Sequence, residues 1–170
     1  PWNLYAHVDQ MFTVKAATPV PPSPLFTYRP PHTRVVGGKP VASVHVGFSG
    51  GYAVTWQWDR ASGTWKRFIF GVPENVATGA QFAPKNVVVM FVHYVGGDPT
   101  HYDIGAEAVL TGTGPALVFT AGQVVHATWS RPDKSHPAKL LDATGKQIPL
   151  TPGQTWVELP KVGFSVTTTP

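Results

Sequence analysis

The sequence has no cysteine, little charge and no long apolar run. The absence of cysteine excludes disulfides, thiolate metal sites and cysteine nucleophiles. Charged residues make up 13% of the chain, against about a quarter in an average globular protein. The surface must therefore consist largely of Thr, Ser, Gln, Gly and Pro, as is common in secreted and envelope proteins. No stretch approaches the roughly 18 apolar residues of a membrane-spanning helix, so no span is predicted.

Catalytic motifs are missing as well. No serine stands in a G-x-S-x-G pattern, and the Gly-Thr-Gly at 112–114 lacks the Lys-Ser/Thr of a phosphate loop. The three glutamates, Glu74, Glu107 and Glu158, lie far apart in sequence, so paired carboxylates for glycoside cleavage stay an open alternative without a positive signal. The sequence predicts no cofactor and favours a non-catalytic domain over an enzyme.

The chain is rich in the residues that make turns. It has 17 glycines and 18 prolines, yet 42% of its residues are hydrophobic, which is too many for a disordered protein. Short strands joined by frequent turns account for both observations. The formal net charge is +4, but the basic residues are scattered along the chain. Nucleic-acid binding through a basic surface is therefore a third, disfavoured alternative.

Residues 1–34 are rich in proline, which favours an extended, polyproline-like path. This segment also carries many apolar side chains, which should pack on the domain or on a partner region. We predict that 1–34 is a connector, the tail of a missing N-terminal domain, and that 35–170 is a β domain. Because the chain starts at Pro1 rather than Met, we expect a mature or truncated fragment.

The segments 41–48, 52–59 and 64–70 alternate between apolar and polar residues, which predicts strands with one buried face. The last two flank a short Gly-containing turn and therefore form a predicted hairpin. Trp56 and Trp58 share one face of this hairpin, and Trp65 lies on its second strand. An exposed aromatic platform for sugars or peptides is one interpretation, but burial as core packing is favoured.

Residues 86–95 form the most apolar run, which predicts a central strand buried on both faces, with Val89 fully buried. A polar loop is predicted at 96–103. Further strands are predicted at 104–111, 116–120, 124–129, 139–141, 147–150 and 155–159. The predicted fold is mainly β, an antiparallel sandwich or partly closed barrel with long Pro/Gly-rich loops and little helix.

Two polar clusters are candidate sites. The first contains His93, Asp98, His101 and Asp103 within eleven residues. Imidazole and carboxylate groups are competent ligands for zinc or another divalent ion. A metal-assisted hydrolase acting on a cell-wall polymer would use this cluster. The plain alternative is an exposed polar loop, because the spacing matches no established ligand pattern.

The second cluster lies at the end of a predicted strand. It consists of Trp129, Arg131, Asp133, Lys134 and His136, and we expect Arg67 of the hairpin to flank it. An aromatic ring beside a guanidinium suits an anionic ligand, such as a carboxylate- or phosphate-bearing wall fragment. Protonation of His136 would tighten such binding below about pH 6.5. The alternative is that Trp129 belongs to the core and that the loop is mobile.

Four segments carry a family resemblance: NLY at 3–5, YAVTWQWDRASGTWKRFIFG at 52–71, NVVVMFV at 86–92, and the stretch from GTGPALVF to TPGQTWVELP at 112–160. Together they resemble the C-terminal portion of the YerB-like lipoprotein family, bacterial envelope proteins with a domain of unknown function. Where this family's hairpin has a Tyr before the Arg, this chain has Trp65, Lys66 and Arg67.

The resemblance implies an extracellular or cell-envelope location, with membrane anchoring through an N-terminal lipid or segment absent from this chain. It also implies a preceding N-terminal domain, and it brings no catalytic residues. The sequence thus favours a non-catalytic domain that binds a ligand or partner. Candidate partners are the missing N-terminal domain, an anionic cell-wall fragment and another envelope protein.

Overall fold

A computed structural model describes residues 24–31, 33–48, 51–98 and 101–170, without the side chains of 98 and 101–104. The described residues form thirteen strands and no α-helix. The strands are β1 (Lys39–Pro40), β2 (Ser43–Gly47), β3 (Ala53–Asp59), β4 (Thr64–Ile69), β5 (Val72–Pro73), β6 (Asn86–Met90), β7 (His93–Asp98), β8 (His101–Val109), β9 (Gly112–Thr120), β10 (Gln123–Arg131), β11 (Lys139–Leu141), β12 (Thr155–Glu158) and β13 (Val166–Thr169).

Two sheets and a separate hairpin contain these strands. The inner sheet has the order β1-β10-β9-β6-β12, with β11 also paired to β10. The outer sheet has the order β13-β2-β3-β4-β5, and among the described strands β7 pairs with β8 alone. All pairings among the named strands are antiparallel except the one between β6 and β12.

The main core lies between the two sheets. Trp56 and Trp65 of the outer sheet are fully buried against Val89 and Phe119 of the inner sheet. The alternation of β3 and β4 places Val54, Trp56 and Trp65 on this one face, as the period of two requires. The antiparallel sandwich is therefore confirmed, and the sheets are open rather than closed into a barrel.

The other face of the inner sheet carries a second core. Val88, Val118 and Trp129 are buried there beneath Ile148 and Leu150. The described end of the Pro-rich segment also covers this face. Phe26 packs against the second core, and the segment is tied down by hydrogen bonds from Arg29 N to Leu150 O (2.9 Å) and from Leu150 N to Thr27 O (2.8 Å).

Several local predictions are confirmed. The hairpin of β3 and β4 forms around a turn between Asp59 and Thr64. Val89 has no exposed surface and lies in β6, which has neighbours on both sides in the inner sheet. Trp56 and Trp65 are buried as expected, but Trp58, on the same face as Trp56, is only half-buried.

Other predictions are wrong. Most of the predicted polar loop at 96–103 belongs to the arms of the β7–β8 hairpin. The predicted strand at 86–95 is divided between β6 and β7, and residues 147–150 form isolated bridges instead of a strand. The short edge strands β1, β5 and β13 are missed, because two to four residues carry little periodic signal. No helix in the described part of the chain is long and apolar enough to cross a membrane.

Candidate functional site

The loop after β10, predicted to bind an anion, is held together by its own groups. The guanidinium of Arg131 donates to the backbone oxygens of His136 (2.7 Å) and Lys134 (2.9 Å). The carboxylate of Asp133 lies 2.8 Å from Nδ1 of His136 and accepts a hydrogen bond from the Ser135 N–H (2.7 Å). The hydrogen bond with His136 is the main reason why the pKa of Asp133 is lowered. These contacts give the exposed loop a defined shape.

The structure does not bring Arg67 to this loop. Trp129 is buried in the second core and donates from its indole to Phe91 O (2.9 Å). Arg67 lies on the opposite face of the inner sheet, where it contacts Trp56 and Trp156 of the main core. The sheet therefore separates Arg67 from Trp129 and Arg131. Whether the loop binds a ligand without Arg67 stays a prediction.

Arg67 belongs to a buried charge cluster between the sheets. Its guanidinium bonds to Glu74 and lies 3.7 Å, from Nε to Oε1, from Glu158. Its central carbon is 4.9 Å from the ring centre of Trp156, a distance typical of cation–π contacts. Trp56 donates from Nε1 to Glu158 Oε1 (3.2 Å). Burial raises the pKa of Glu158, while the Arg67 charge and the Trp56 hydrogen bond act in the opposite direction.

The predicted metal ligands lie along the β7–β8 hairpin. Asp98 pairs with His101 near the hairpin turn, whereas His93 pairs with Val109 at the far end. At about 3.3 Å per residue, His93 is roughly 16 Å from Asp98 along the strand. The side chains of Asp98, His101 and Asp103 are outside the described part of the structure. Among the side chains that are described, no three His, Asp or Glu residues form a metal-binding group.

A second buried arginine was not predicted. Arg29 is only 9% exposed, and its guanidinium donates to the hydroxyls of Thr120 (3.2 Å) and Thr151. These hydroxyls lie 2.6 Å apart, and Asn86 Oδ1 accepts hydrogen bonds from the Thr120 hydroxyl (2.7 Å) and the Thr151 N–H (3.0 Å). No carboxylate of a described residue forms an ion pair with Arg29. Burial lowers its pKa.

Arg29 lies at a cavity of about 330 Å³ between residues 29–36 and the turn at 142–149. Arg34 and Lys146 also line this cavity, and both are exposed. Among the described residues that line it, Asp142 is the only acidic one. Three cationic residues and one acidic residue therefore line the cavity. We call this space the Arg29 cavity.

The Asp142 carboxylate organises the turn at one side of the cavity. Oδ1 accepts hydrogen bonds from the Thr144 N–H (2.8 Å), the Thr144 hydroxyl (2.7 Å) and the Lys146 N–H (3.0 Å). The hydrogen bond from the Thr144 side chain is the main cause of its lowered pKa. Asp142 is thus held as a carboxylate that shapes the turn and positions Lys146 beside the cavity.

Sequence reasoning missed this cavity for a definite reason. Arg29 stands in the Pro-rich segment, which was interpreted as a connector, and its partners come from the ends of distant strands and turns. Thr120 is 91 residues away and Thr151 is 122 residues away. A lone arginine between prolines gives no local signal, so only the packing of the segment on the inner sheet identifies the group.

Comparisons with known proteins place the fold in a family. Residues 44–157 match the C-terminal domain of a protein family of unknown function, DUF3048. The chain belongs to the DUF3048 family. The crystal structure of the YerB protein from Bacillus subtilis is similar, with a TM-score of 0.65 at 20% identity over 84% of this chain. A search of curated proteins finds no match.

The match confirms the YerB-like resemblance and the fold. Any function must be argued from the geometry of the candidate site. This chain spans 46% of the length of the YerB structure. Arg29 and Arg34 precede the matched DUF3048 segment, whereas Thr120, Lys146 and Thr151 lie within it. The Arg29 cavity is therefore formed jointly by the DUF3048 domain and by the segment that leads into it.

Proposed function

We propose that this DUF3048 domain is a non-catalytic binding domain of the cell envelope that accepts an anionic group in the Arg29 cavity. One observation carries the proposal: Arg29 is buried at the cavity without an ion-pairing carboxylate among the described residues. Arg34 and Lys146 add positive charge beside it. A carboxylate or a phosphate fits this arrangement.

The energetic argument rests on desolvation. Moving a guanidinium out of water costs several kcal/mol unless opposite charge and hydrogen bonds compensate for it. The hydroxyls of Thr120 and Thr151 supply hydrogen bonds but no charge. A bound anion would supply the missing charge, and Arg offers a planar set of donors that suits carboxylates and phosphates.

The groups around the cavity support binding rather than reaction. Arg29, Arg34 and Lys146 are positive charges that attract and orient an anion. Asp142 is an unsuitable proton donor, because its lowered pKa keeps it ionised, and its Oδ1 atom already accepts three hydrogen bonds. The Thr120 and Thr151 hydroxyls are engaged with Arg29 and with each other.

The envelope location and the anchoring are parts of the same proposal. The low charge content of the chain and the YerB-like family support a place outside the membrane, with an N-terminal lipid or segment as anchor. The YerB structure extends well beyond the part that this chain matches. We propose an N-terminal domain of the same protein as a partner that adjoins the segment leading into the β domain.

NMR titration tests the proposed site. Inorganic phosphate and acetate are added to ¹⁵N-labelled protein at low ionic strength, and the Arg side-chain and backbone N–H signals are followed. We expect shifts at Arg29, Thr120 and Thr151. The double variant Arg34→Ala/Lys146→Ala should weaken binding about tenfold, because it removes two exposed charges, with about 1.4 kcal/mol per factor of ten. Comparing the affinities for phosphate and acetate shows whether the cavity prefers a phosphate or a carboxylate.

The matched control is Arg131→Ala/Lys134→Ala, which removes two charges from the loop predicted from the sequence. This control should bind phosphate as tightly as the wild type. Shifts that cluster at 130–136 and disappear in the control would move the anion site to the loop. The absence of any anion-dependent shift at low salt would contradict the proposed function.

A further inference from the structure

The edge strand β12 of the inner sheet has one free side. Among the described strands it pairs with β6 alone. Gln154 O and Pro160 O, which flank β12, each accept a hydrogen bond of 3.1 Å from an N–H group on the β6 side. Because the backbone groups of successive strand residues point to opposite sides, the N–H and C=O groups of Thr155 and Val157 point away from β6.

The free side of β12 carries none of the usual protections of an exposed sheet edge. No described residue forms a hydrogen bond with the backbone of Thr155 or Val157 on this side. β12 has the sequence Thr-Trp-Val-Glu and a regular register, without the Lys, Pro or bulge that commonly blocks such an edge. Its one charged residue, Glu158, is buried. Just beyond β12, Leu159 O accepts a hydrogen bond from the Tyr94 hydroxyl (2.7 Å), so this side of the chain is open to a donor.

Three cavities follow this side of β12 and share lining residues. The first, of about 780 Å³, shares Leu25 with the second, of about 220 Å³, and the second shares Leu159 with the third, of about 450 Å³. Val157 lines the second cavity. Phe82 in the first and Phe48 in the third pack against the main core, whereas Leu159 packs against the second core, as expected at an edge where the two faces of a sheet meet. The three cavities therefore form one groove, which we call the β12 groove.

The β12 groove is apolar and carries positive charge. Leu25 is 66% exposed and Val157 is 37% exposed, so both offer apolar surface to a partner. Among the described residues that line the groove, the charged ones are Arg131 and Lys161, and none is acidic. The formal net charge of the whole chain is +4. The charge of the groove and of the chain thus favours an acidic partner.

We propose that the β12 groove binds an extended, acidic segment of a partner protein by strand addition. The N–H and C=O groups of the segment pair with those of Thr155 and Val157, which extends the inner sheet by one strand. Alternate apolar side chains of the segment contact Leu25 and Val157, and its acidic side chains approach Arg131 and Lys161. β12 has four residues, so the paired length is about 13 Å, at about 3.3 Å per residue. This interaction is independent of anion binding in the Arg29 cavity.

Matched peptides test the charge and the backbone pairing separately. The parent probe is acetyl-EVEVEVE-amide, and acetyl-KVKVKVK-amide keeps its apolar positions with the opposite charge. Two further versions of the parent are N-methylated, one at every valine and one at every glutamate, so that each has one edge that cannot donate hydrogen bonds. We expect the basic peptide to bind at least about tenfold more weakly than the parent, because it places like charges beside Arg131 and Lys161. One N-methylated version should lose at least about tenfold in affinity, and the other should bind like the parent.

NMR and hydrogen exchange locate the site on the protein. Titration of the ¹⁵N-labelled protein with the parent peptide should shift the backbone N–H signals of Thr155 and Val157. The Val157 N–H should exchange rapidly with solvent in the free protein and slowly in the complex, because only the added strand supplies an acceptor for it.

Variants separate the backbone contact from the apolar contact. Val157→Pro removes the outward N–H at an edge position where proline is tolerated, and it should weaken binding of the parent peptide at least about tenfold. Leu25→Ser should weaken binding about threefold, because it removes exposed apolar surface from the groove. The matched control is Val36→Ser, at an exposed valine that lines the Arg29 cavity instead, and it should leave the affinity unchanged. Thermal melting shows whether each variant is folded, and the N-methylated peptides test the pairing on the wild type alone.

Four results would overturn the inference. If neither N-methylated version loses affinity, the backbones do not pair. Equal affinity for the acidic and basic peptides would remove the acidic partner. A slowly exchanging Val157 N–H in the free protein would mean that the edge is already covered, by residues 1–23 if the rate is independent of protein concentration and by a second copy of the chain if it is not. Shifts that cluster at the Arg29 cavity and disappear in Arg34→Ala/Lys146→Ala would assign the peptide to the anion site, whereas we expect this variant to bind the peptide like the wild type.

Discussion

Two arginines of this domain are buried to nearly the same extent but differ in their counter-charges. Arg29 is 9% exposed and Arg67 is 7% exposed. Arg67 has the carboxylates of Glu74 and Glu158 beside it and two tryptophan rings within cation–π distance. Arg29 has two threonine hydroxyls and an adjoining cavity.

On this difference we base the assignment of Arg67 as a structural charge and the proposal of Arg29 as a ligand-binding one. Arg67 is neutralised by the protein itself, and its cluster joins β4 to β12 across the main core. Arg29 is not neutralised by any described carboxylate, and its neighbours Arg34 and Lys146 add to its charge. Burial alone does not separate these roles, whereas the origin of the counter-charge does.

The largest effect is expected from a buried charge that has neither a partner nor a cavity. Val89→Asp would place a carboxylate at a fully buried position of β6. We expect more than about 4 kcal/mol of destabilisation and loss of the folded state, because no hydrogen-bond donor replaces water there. Circular dichroism melting measures the effect, and Val89→Leu serves as the control. A soluble, cooperatively melting Val89→Asp protein would contradict this assignment of the sheet centre.

The second-largest loss of stability is expected when Arg67 is removed. Arg67→Met leaves Glu158 buried without its cation, so we expect the free energy of unfolding to fall by about 3–5 kcal/mol. The double variant Arg67→Met/Glu158→Gln should recover part of this loss, because the unpaired carboxylate is then gone. Urea denaturation of both variants gives the two values. If Arg67→Met is as stable as the wild type, Arg67 does not stabilise the fold through its ion pairs and this assignment is wrong.

The same change at Arg29 should act differently. Arg29→Met removes a buried cation that pairs with no carboxylate of a described residue. The Thr120 hydroxyl can still bond to the Thr151 hydroxyl and to Asn86, and the Thr151 N–H can still donate to Asn86. We expect a change in unfolding free energy within about 1 kcal/mol and complete loss of phosphate binding. Urea denaturation and NMR titration measure the two quantities. A loss of stability as large as that of Arg67→Met would make both arginines structural.

The smallest effect concerns pH. Because burial raises the pKa of Glu158 above its ordinary value of 4.5, its contribution to stability is fully present below pH 4.5 and is lost as the pH rises through the folded-state value. The stability of Glu158→Gln relative to the wild type should therefore increase as the pH rises above 4.5. Urea denaturation across this range measures the difference.

Asp59 provides a control, because its pKa is shifted in the opposite direction to that of Glu158. Its hydrogen bonds with Lys66 and Ser62 lower its pKa to about 2. Its contribution is present above the ordinary value of 3.8 and is lost as the pH falls towards 2. Asp59→Asn should therefore differ from the wild type in its pH dependence only in the acidic range. If Glu158→Gln showed the same acidic pattern, the raised pKa of Glu158 would be contradicted.

Local patterns were sufficient for much of the fold. The alternation at 52–59 and 64–70 predicted the β3–β4 hairpin, and the valine run predicted the central position of Val89. Each signal lies within a few residues, because side-chain direction in a strand alternates with a period of two. Sequence patterns gave the wrong prediction at 96–103. Most of this Gly-rich, polar segment forms strand residues, because β7 and β8 pair with each other through backbone hydrogen bonds that need no apolar side chains.

The candidate sites show the limit of such reasoning. The prediction expected Arg67 of the aromatic hairpin to flank Arg131, but the inner sheet separates them. Trp56 and Trp58 were predicted to share one face with burial favoured, yet Trp58 lines a cavity while Trp56 is fully buried. Strand parity gives the face of a side chain and not its depth, which depends on what the rest of the chain places above it.

The sequence by itself determined the β class, the hairpin, the buried centre and the family, because periodicity and motif order are properties of neighbouring residues. Only the tertiary structure decided which arginine has a counter-charge. Arg29 meets Thr120 and Thr151 across 91 and 122 residues, and Arg67 meets Glu158 across two different sheets. Desolvation and ion pairing depend on distances between side chains in space. Those distances arise only when the outer sheet packs on one face of the inner sheet and the Pro-rich segment packs on the other.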